Sequence, residues 1–169
     1  DNLDLLDGQL YGFVHTIARL YRNQNGYHHW RHACHVVLGA SQLVDYAEFD
    51  RNGPWIGFAA VFAALIHDVK HLGVPNAQLQ EENHVLVQVF DDGSCQERQS
   101  CHTSIKIFIE RFPDLSAEVL RGCAKFLHLV TTAVLATDIG SAEAQRNMRE
   151  RFERVVAAEN SILSDGIEE

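Results

Sequence analysis

Phe58-Ala59-Ala60-Val61-Phe62-Ala63-Ala64-Leu65-Ile66-His67-Asp68-Val69-Lys70-His71 is the stretch whose reading decides the fold. Nine apolar residues run without interruption into an imidazole and a carboxylate, so a segment built for burial closes on two polar, metal-competent side chains. An unpaired buried charge is costly. A divalent cation removes that cost, because imidazole nitrogen and carboxylate oxygen are both good ligands and the metal supplies the missing counter-charge. His67 and His71 stand four residues apart with Asp68 beside the first.

A second histidine-rich patch lies upstream, Tyr27-His28-His29-Trp30-Arg31-His32-Ala33-Cys34-His35. Residues three, four and seven apart share a helix face, so His28, His32 and His35 can aim at a common point if a helix has begun by His28. Together the two patches predict a metal-dependent hydrolase site carried on helices. Two lone acids read differently on residues alone. Asp138, after Val134-Leu135-Ala136-Thr137, is an ordinary helix-end or N-cap aspartate. Glu97 is an ordinary surface glutamate.

The chain has 169 residues, 46% of them hydrophobic, which suits one domain with a real core. A formal charge of −9 argues against a nucleic-acid backbone as partner, which needs clustered Lys and Arg. A small phosphate substrate stays open, because bound metal inverts the local field. Cys34, Cys95, Cys101 and Cys123 show neither CxxC spacing nor a dense secreted framework, which predicts a reduced, intracellular setting. No run approaches the roughly eighteen apolar residues of a membrane-spanning helix. Nor does the chain open on a signal peptide. Starting with Asp1 rather than Met, it reads as a fragment cut from something longer.

Three prolines and long stretches of helical spacing predict an all-α chain. The first helix is expected over about Leu3–Arg22, with Leu6, Leu10, Phe13, Val14, Ile17 and Leu20 as its apolar stripe. The turn residues Asn23-Gln24-Asn25-Gly26 end it. Further helices are expected over about His29–Ala47, Trp55–Val69, Ala77–Phe90, Gln96–Arg111, Leu115–Ala136 and Ser141–Asn160. Breaks fall at Asp50–Pro54, Gly73–Asn76 and Asp91–Ser94. No repeat, low-complexity tract or dividing linker is evident.

In its motifs the chain resembles the HD superfamily of metal-dependent phosphohydrolases and, within it, the class I 3′,5′-cyclic nucleotide phosphodiesterases. The family pattern Tyr-His-Asn-x-x-His-Ala-x-Asp-Val is met by Tyr27 to Val36, and His-Asp-x-x-His-x-Gly-x-x-Asn by His67 to Asn76. Val134 to Asp138 matches the family's Val-Leu-Ala-Thr-Asp, and a gapless register from Gly73 places Glu97 on the family's glutamate. The His35 variant particularly resembles that of diatom and related algal members, some fused to nucleotide cyclases. The likeness spans about residues 10–154 of what is expected to be a single partial catalytic domain over 1–169.

The resemblance implies an all-α, HD-domain-like multi-helix bundle of the cyclic nucleotide phosphodiesterase type, truncated on its C-terminal side. It implies hydrolysis of cAMP or cGMP to the 5′-monophosphate, which ends a second-messenger signal. Two divalent ions are implied, zinc first and magnesium or manganese second. His32, His67 and Asp68 would hold the first, and Asp68 would bridge to the second. Asp138 and His71 would support the second ion's water shell. His28 would be the general acid, oriented by Glu97, with Tyr27 and Asn76 lining the site.

Departures accompany the match. His29 replaces an asparagine, His35 an aspartate, and Lys70 sits where an acid is common and is expected to face solvent. The family's later half supplies a fourth ligand to the first metal and the groups that recognise the base, and none is visible before Glu169. Apolar faces are therefore expected to lie uncovered, favouring self-association or the missing half as partner. No nucleic acid and no membrane insertion by this segment are expected, and the expected location is cytoplasmic, with a larger membrane-tethered parent as the alternative. Two competing readings remain: another HD-type phosphohydrolase acting on nucleotides or alarmones, and a metal-binding or regulatory pseudoenzyme module.

Overall fold

The chain is described here from a computed structural model that covers residues 2–46, 54–90, 93–140 and 142–165. Every regular element among these is a helix, in the order α1 (Asn2–Ala18), α2 (Trp30–Tyr46), α3 (Pro54–Ile66), α4 (Asn76–Glu81), α5 (Val85–Val89), α6 (Cys95–Arg111), α7 (Pro113–Gly122), α8 (Phe126–Leu135) and α9 (Ala142–Asp165). The all-α reading holds. Contacts divide the chain into two compact units, residues 1–137 and 138–169. No helix among the described residues is long and apolar enough to cross a membrane.

In the first unit α3 lies against α1, α2, α6 and α8, which explains why its sequence shows no polar face. Phe62 is the hub. Its ring stacks on Phe13 of α1 at 5.0 Å and meets Phe108 of α6 and Phe126 of α8 edge-on at 5.0 and 5.2 Å. Ring pairs at these separations add to area burial and fix four helices around one point. The α2–α3 approach depends on Gly57, where a Cβ would fall 2.7 Å from Val44 Cγ1.

The expected helix boundaries need four corrections. The first helix stops at Ala18 rather than Arg22. α3 ends at Ile66, so His67 and Asp68 occupy the turn beyond it. Lys70 there adopts a left-handed φ of 63° and donates its N–H to Leu20 O at 3.3 Å, so His67 and His71, four residues apart, are not on one helical turn. The expected helix over 77–90 is two short ones, because Asn83 turns left-handed (φ 49°) and His84 Nδ1 accepts from Leu86 N to cap a new start. The expected helix over 115–136 divides at Cys123–Lys125, where Gly122 lies so close to the Trp55 ring that a side chain would overlap it.

Within the second unit α9 is described by itself as a charged helix with Met148, Phe152 and Val155 exposed. The expected break at 50–54 lies, apart from Pro54, outside the described residues.

Candidate metal centre

The turn after α3 carries His67 and Asp68, both buried (6% exposed each) against the wall of the core. α2 delivers His32 from its first turn. His67 Nε2 lies 3.0 Å from Asp68 Oδ2 and 3.3 Å from His32 Nε2, and His32 Nε2 lies 3.5 Å from the same carboxylate oxygen. Three donor atoms thus form a small triangle.

The protons say what the triangle wants. His67 Nδ1 donates to Ala64 O at 2.8 Å, so in the neutral ring Nε2 presents a lone pair. That lone pair faces a carboxylate oxygen and a second imidazole nitrogen. Asp68 Oδ2 is buried and receives no aligned hydrogen bond. Lone pairs crowded together in the dry are repulsive unless a cation sits among them. Ligands held tetrahedrally at roughly 2.0–2.1 Å from a zinc ion stand roughly 3.3–3.4 Å apart, close to the spacing seen here. The donor set fits a divalent cation.

Electrostatics agree. Burial, the largest influence on Asp68, would raise its carboxyl, but the close approach and charge of His67, then the charges of His28 and His71, outweigh it and hold the group below the usual carboxylate range. Burial pulls His67 down, yet Asp68 lifts it above the ordinary imidazole value. Burial and then the charge of His67 lower His32. Metal ligands bind in their deprotonated forms, so occupation of this triangle is expected to weaken as pH falls.

A second donor group, His28, Asp68 and His71, lies alongside, its ligand atoms within 4.8 Å of one another. The His28 and His71 rings stack face to face at 3.8 Å. His71 Nδ1 accepts from Gly73 N at 3.0 Å, which leaves the proton of the neutral ring on Nε2. A nitrogen that keeps its proton donates to a water rather than binding a metal. Burial, then the charge of His28, lowers His71 to about 4. The His71 ring is therefore uncharged near neutral pH.

The remaining expected residues fall in several places. Asn76 Nδ2 donates to Glu97 Oε2 at 2.7 Å, and Glu97 is buried (8% exposed) rather than the surface acid its isolated sequence suggests. Tyr27 is largely exposed and lays its ring beside His32 at 4.2 Å. Asp138 belongs to the second unit, where Oδ1 accepts from Gly140 N. His28 precedes α2 instead of lying on it, so the expected shared helix face of His28, His32 and His35 does not form; His35 is exposed. His29 Nδ1 accepts from His32 N at 3.2 Å, capping α2 as the asparagine it replaces is chemically suited to do. Lys70 is half-buried rather than fully turned to solvent.

Three supporting residues escaped sequence reasoning. Gln96, 1% exposed, accepts from Leu72 N and donates to Val74 O, both at 2.8 Å, holding the loop after His71. Tyr21 OH donates to Leu65 O at 2.8 Å, and burial first, then Asp68, raises its pKa. Asn25 donates to both His28 O and His71 O. The only available signal was position, since each lies within a few residues of a motif.

Fold and site together define an all-helical protein with a buried His/Asp donor set for a divalent cation. A family profile described as 3′5′-cyclic nucleotide phosphodiesterase matches residues 27–167. The chain is 31% identical over 135 residues to the probable 3′,5′-cyclic-AMP phosphodiesterase pde-4 of Caenorhabditis elegans, covering 75% of this chain and 19% of that protein. It is 29% identical over 135 residues to the mouse 3′,5′-cyclic-AMP phosphodiesterase 4C, covering 77% and 19%. A Plasmodium falciparum cGMP-specific 3′,5′-cyclic phosphodiesterase delta is 31% identical over 86 residues, covering 49% and 10%. The chain belongs to the 3′,5′-cyclic nucleotide phosphodiesterase family. It spans a fifth or less of the length of these relatives.

Proposed function

We propose that this chain is part of an enzyme that hydrolyses 3′,5′-cyclic nucleotides, cAMP or cGMP, to nucleoside 5′-monophosphates. The carrying observation is the triangle of His32, His67 and Asp68, whose buried carboxylate oxygen lacks an aligned hydrogen bond, on the residues that bear the family's motifs. The family match over 27–167 supports one partial catalytic domain extending across both compact units.

His32, His67 and Asp68 would hold a first ion, zinc, and Asp68 would serve a second, magnesium or manganese, as well. Bound, such ions supply Lewis acidity and an acidified water. His71 would offer its Nε2 proton to water held there, and the role that the resemblance gives Asp138 rests on its motif alone. His28 carries the proton for the O3′ leaving group, which its neutral stacking partner does not contest. Glu97, fixed by Asn76, orients His28. Tyr27 and Asn76 line the substrate's approach. The exposed α2 residues Leu38, Leu43 and Tyr46 support the expectation that further protein packs on this chain. A cytoplasmic location is retained as part of this reading.

The test is incubation of the chain, and of the chain extended to its full catalytic domain, with Zn2+ plus Mg2+ or Mn2+ and either cyclic nucleotide. Chromatographic appearance of the 5′-monophosphate is expected. His28→Ala should lower turnover on the order of 10²–10⁴-fold with metal content intact. Stoichiometric metal without turnover in both forms would replace this reading with the pseudoenzyme one.

A further inference from the structure

The loop that ends α1 and the loop that follows the α3 corner are far apart in sequence, yet one side chain joins them. Asn25 Nδ2 donates to His28 O and to His71 O, each at 2.9 Å. Only the amide's nitrogen has two hydrogens to satisfy two carbonyls, so its orientation is fixed by its partners. The residues so linked are the two whose rings stack at 3.8 Å.

The loop has been shaped to admit this side chain. Gly73 has φ +83°, and a Cβ there would lie 2.9 Å from Asn25 Oδ1. A substituent at Gly73 would therefore be strained in its backbone and would push against the amide at once. Gln96 closes the same loop from the opposite side, through Leu72 N and Val74 O. Between them, Asn25 and Gln96 leave His71 little freedom of backbone position. His28 has no such support from α2, because it precedes the helix.

We propose that Asn25, admitted by Gly73, is a positioning residue that staples the His28 backbone to the His71 backbone and thereby sets the stacking of the two imidazoles. For catalysis this rests on the reading of His28 as proton donor; the staple itself does not. A stacked ring is held at a fixed height over its neighbour, whereas an imidazole on an untethered loop samples many. Displacement of a reacting group by about 1 Å costs roughly a hundredfold in rate.

The experiment compares the zinc-loaded chain with its Asn25→Asp and Gly73→Ala variants. Asn25→Asp preserves size and removes both N–H donors, and Gly73→Ala attacks the staple from the other loop. Histidine ring proton and nitrogen resonances are assigned in each. The staple predicts that both variants lose the mutual ring-current shifts of His28 and His71, while His32 and His67 signals and zinc content stay as in the parent. In the full catalytic domain the same variants should lose roughly a hundredfold in kcat at little changed KM. Unchanged His28 and His71 ring shifts in Asn25→Asp would overturn the staple. A parent domain that hydrolyses nothing would overturn the functional reading alone, with the ring shifts still deciding this one.

Discussion

The two histidine patches look alike in sequence and behave differently in the structure. At 67–71 the patch follows an apolar helix into the core, and His67, Asp68 and His71 are all buried. At 28–35 the histidines straddle the start of an amphipathic helix and divide their labour. His28 stacks, His29 caps, His32 joins the donor triangle and His35 points to solvent. Where burial surrounds polar groups, desolvation leaves each of them in need of a partner, whether a hydrogen bond or a cation. Where water is at hand, a histidine can be anything.

The sharpest way to break that contrast is Asp68→Ala, the one residue common to both donor groups. Metal affinity, read by competition with a zinc chelator, should fall by more than the roughly 10- to 100-fold typical of losing a mere supporting residue. Retained stoichiometric zinc would remove Asp68 from the centre.

A somewhat smaller effect is expected from acid. In the metal-free protein His71 titrates at about 4, against 6.5 for the free side chain. Between those values the unfolded chain binds more protons, so stability falls as pH drops, by on the order of 3 kcal/mol from this group. Urea unfolding at pH 7 and pH 4 should show that loss, and His71→Gln should flatten it.

The exposed patch should respond weakly and selectively. His29→Ala removes a cap and should cost about 1 kcal/mol in thermal unfolding, whereas His29→Asn should restore it. His35→Ala should change stability by less than about 0.5 kcal/mol and leave zinc binding alone. A loss of zinc in His35→Ala would erase the distinction between the patches.

The helical fold was legible because apolar spacing is a property of the chain itself. α3 could be read from Phe58–Ile66, and the polar pair at its end announced the corner. Its last turn could not, since the left-handed Lys70 is set by a hydrogen bond to Leu20, distant in sequence. At the split after Gly122 the Trp55 ring occupies the space a side chain would need, likewise a tertiary contact. Within the site, ligand-type residues stood out by chemistry. Asn25 and Gln96 did not, because they bond to backbone groups that any residue offers.

X-ray absorption on the zinc-loaded chain tests the central claim, that His32, His67 and Asp68 surround one ion. Two imidazole nitrogens and a carboxylate oxygen at about 2.0–2.1 Å, with the multiple scattering of imidazole rings, are predicted. A sulfur shell near about 2.3 Å, or an all-oxygen shell without imidazole scattering, would contradict it.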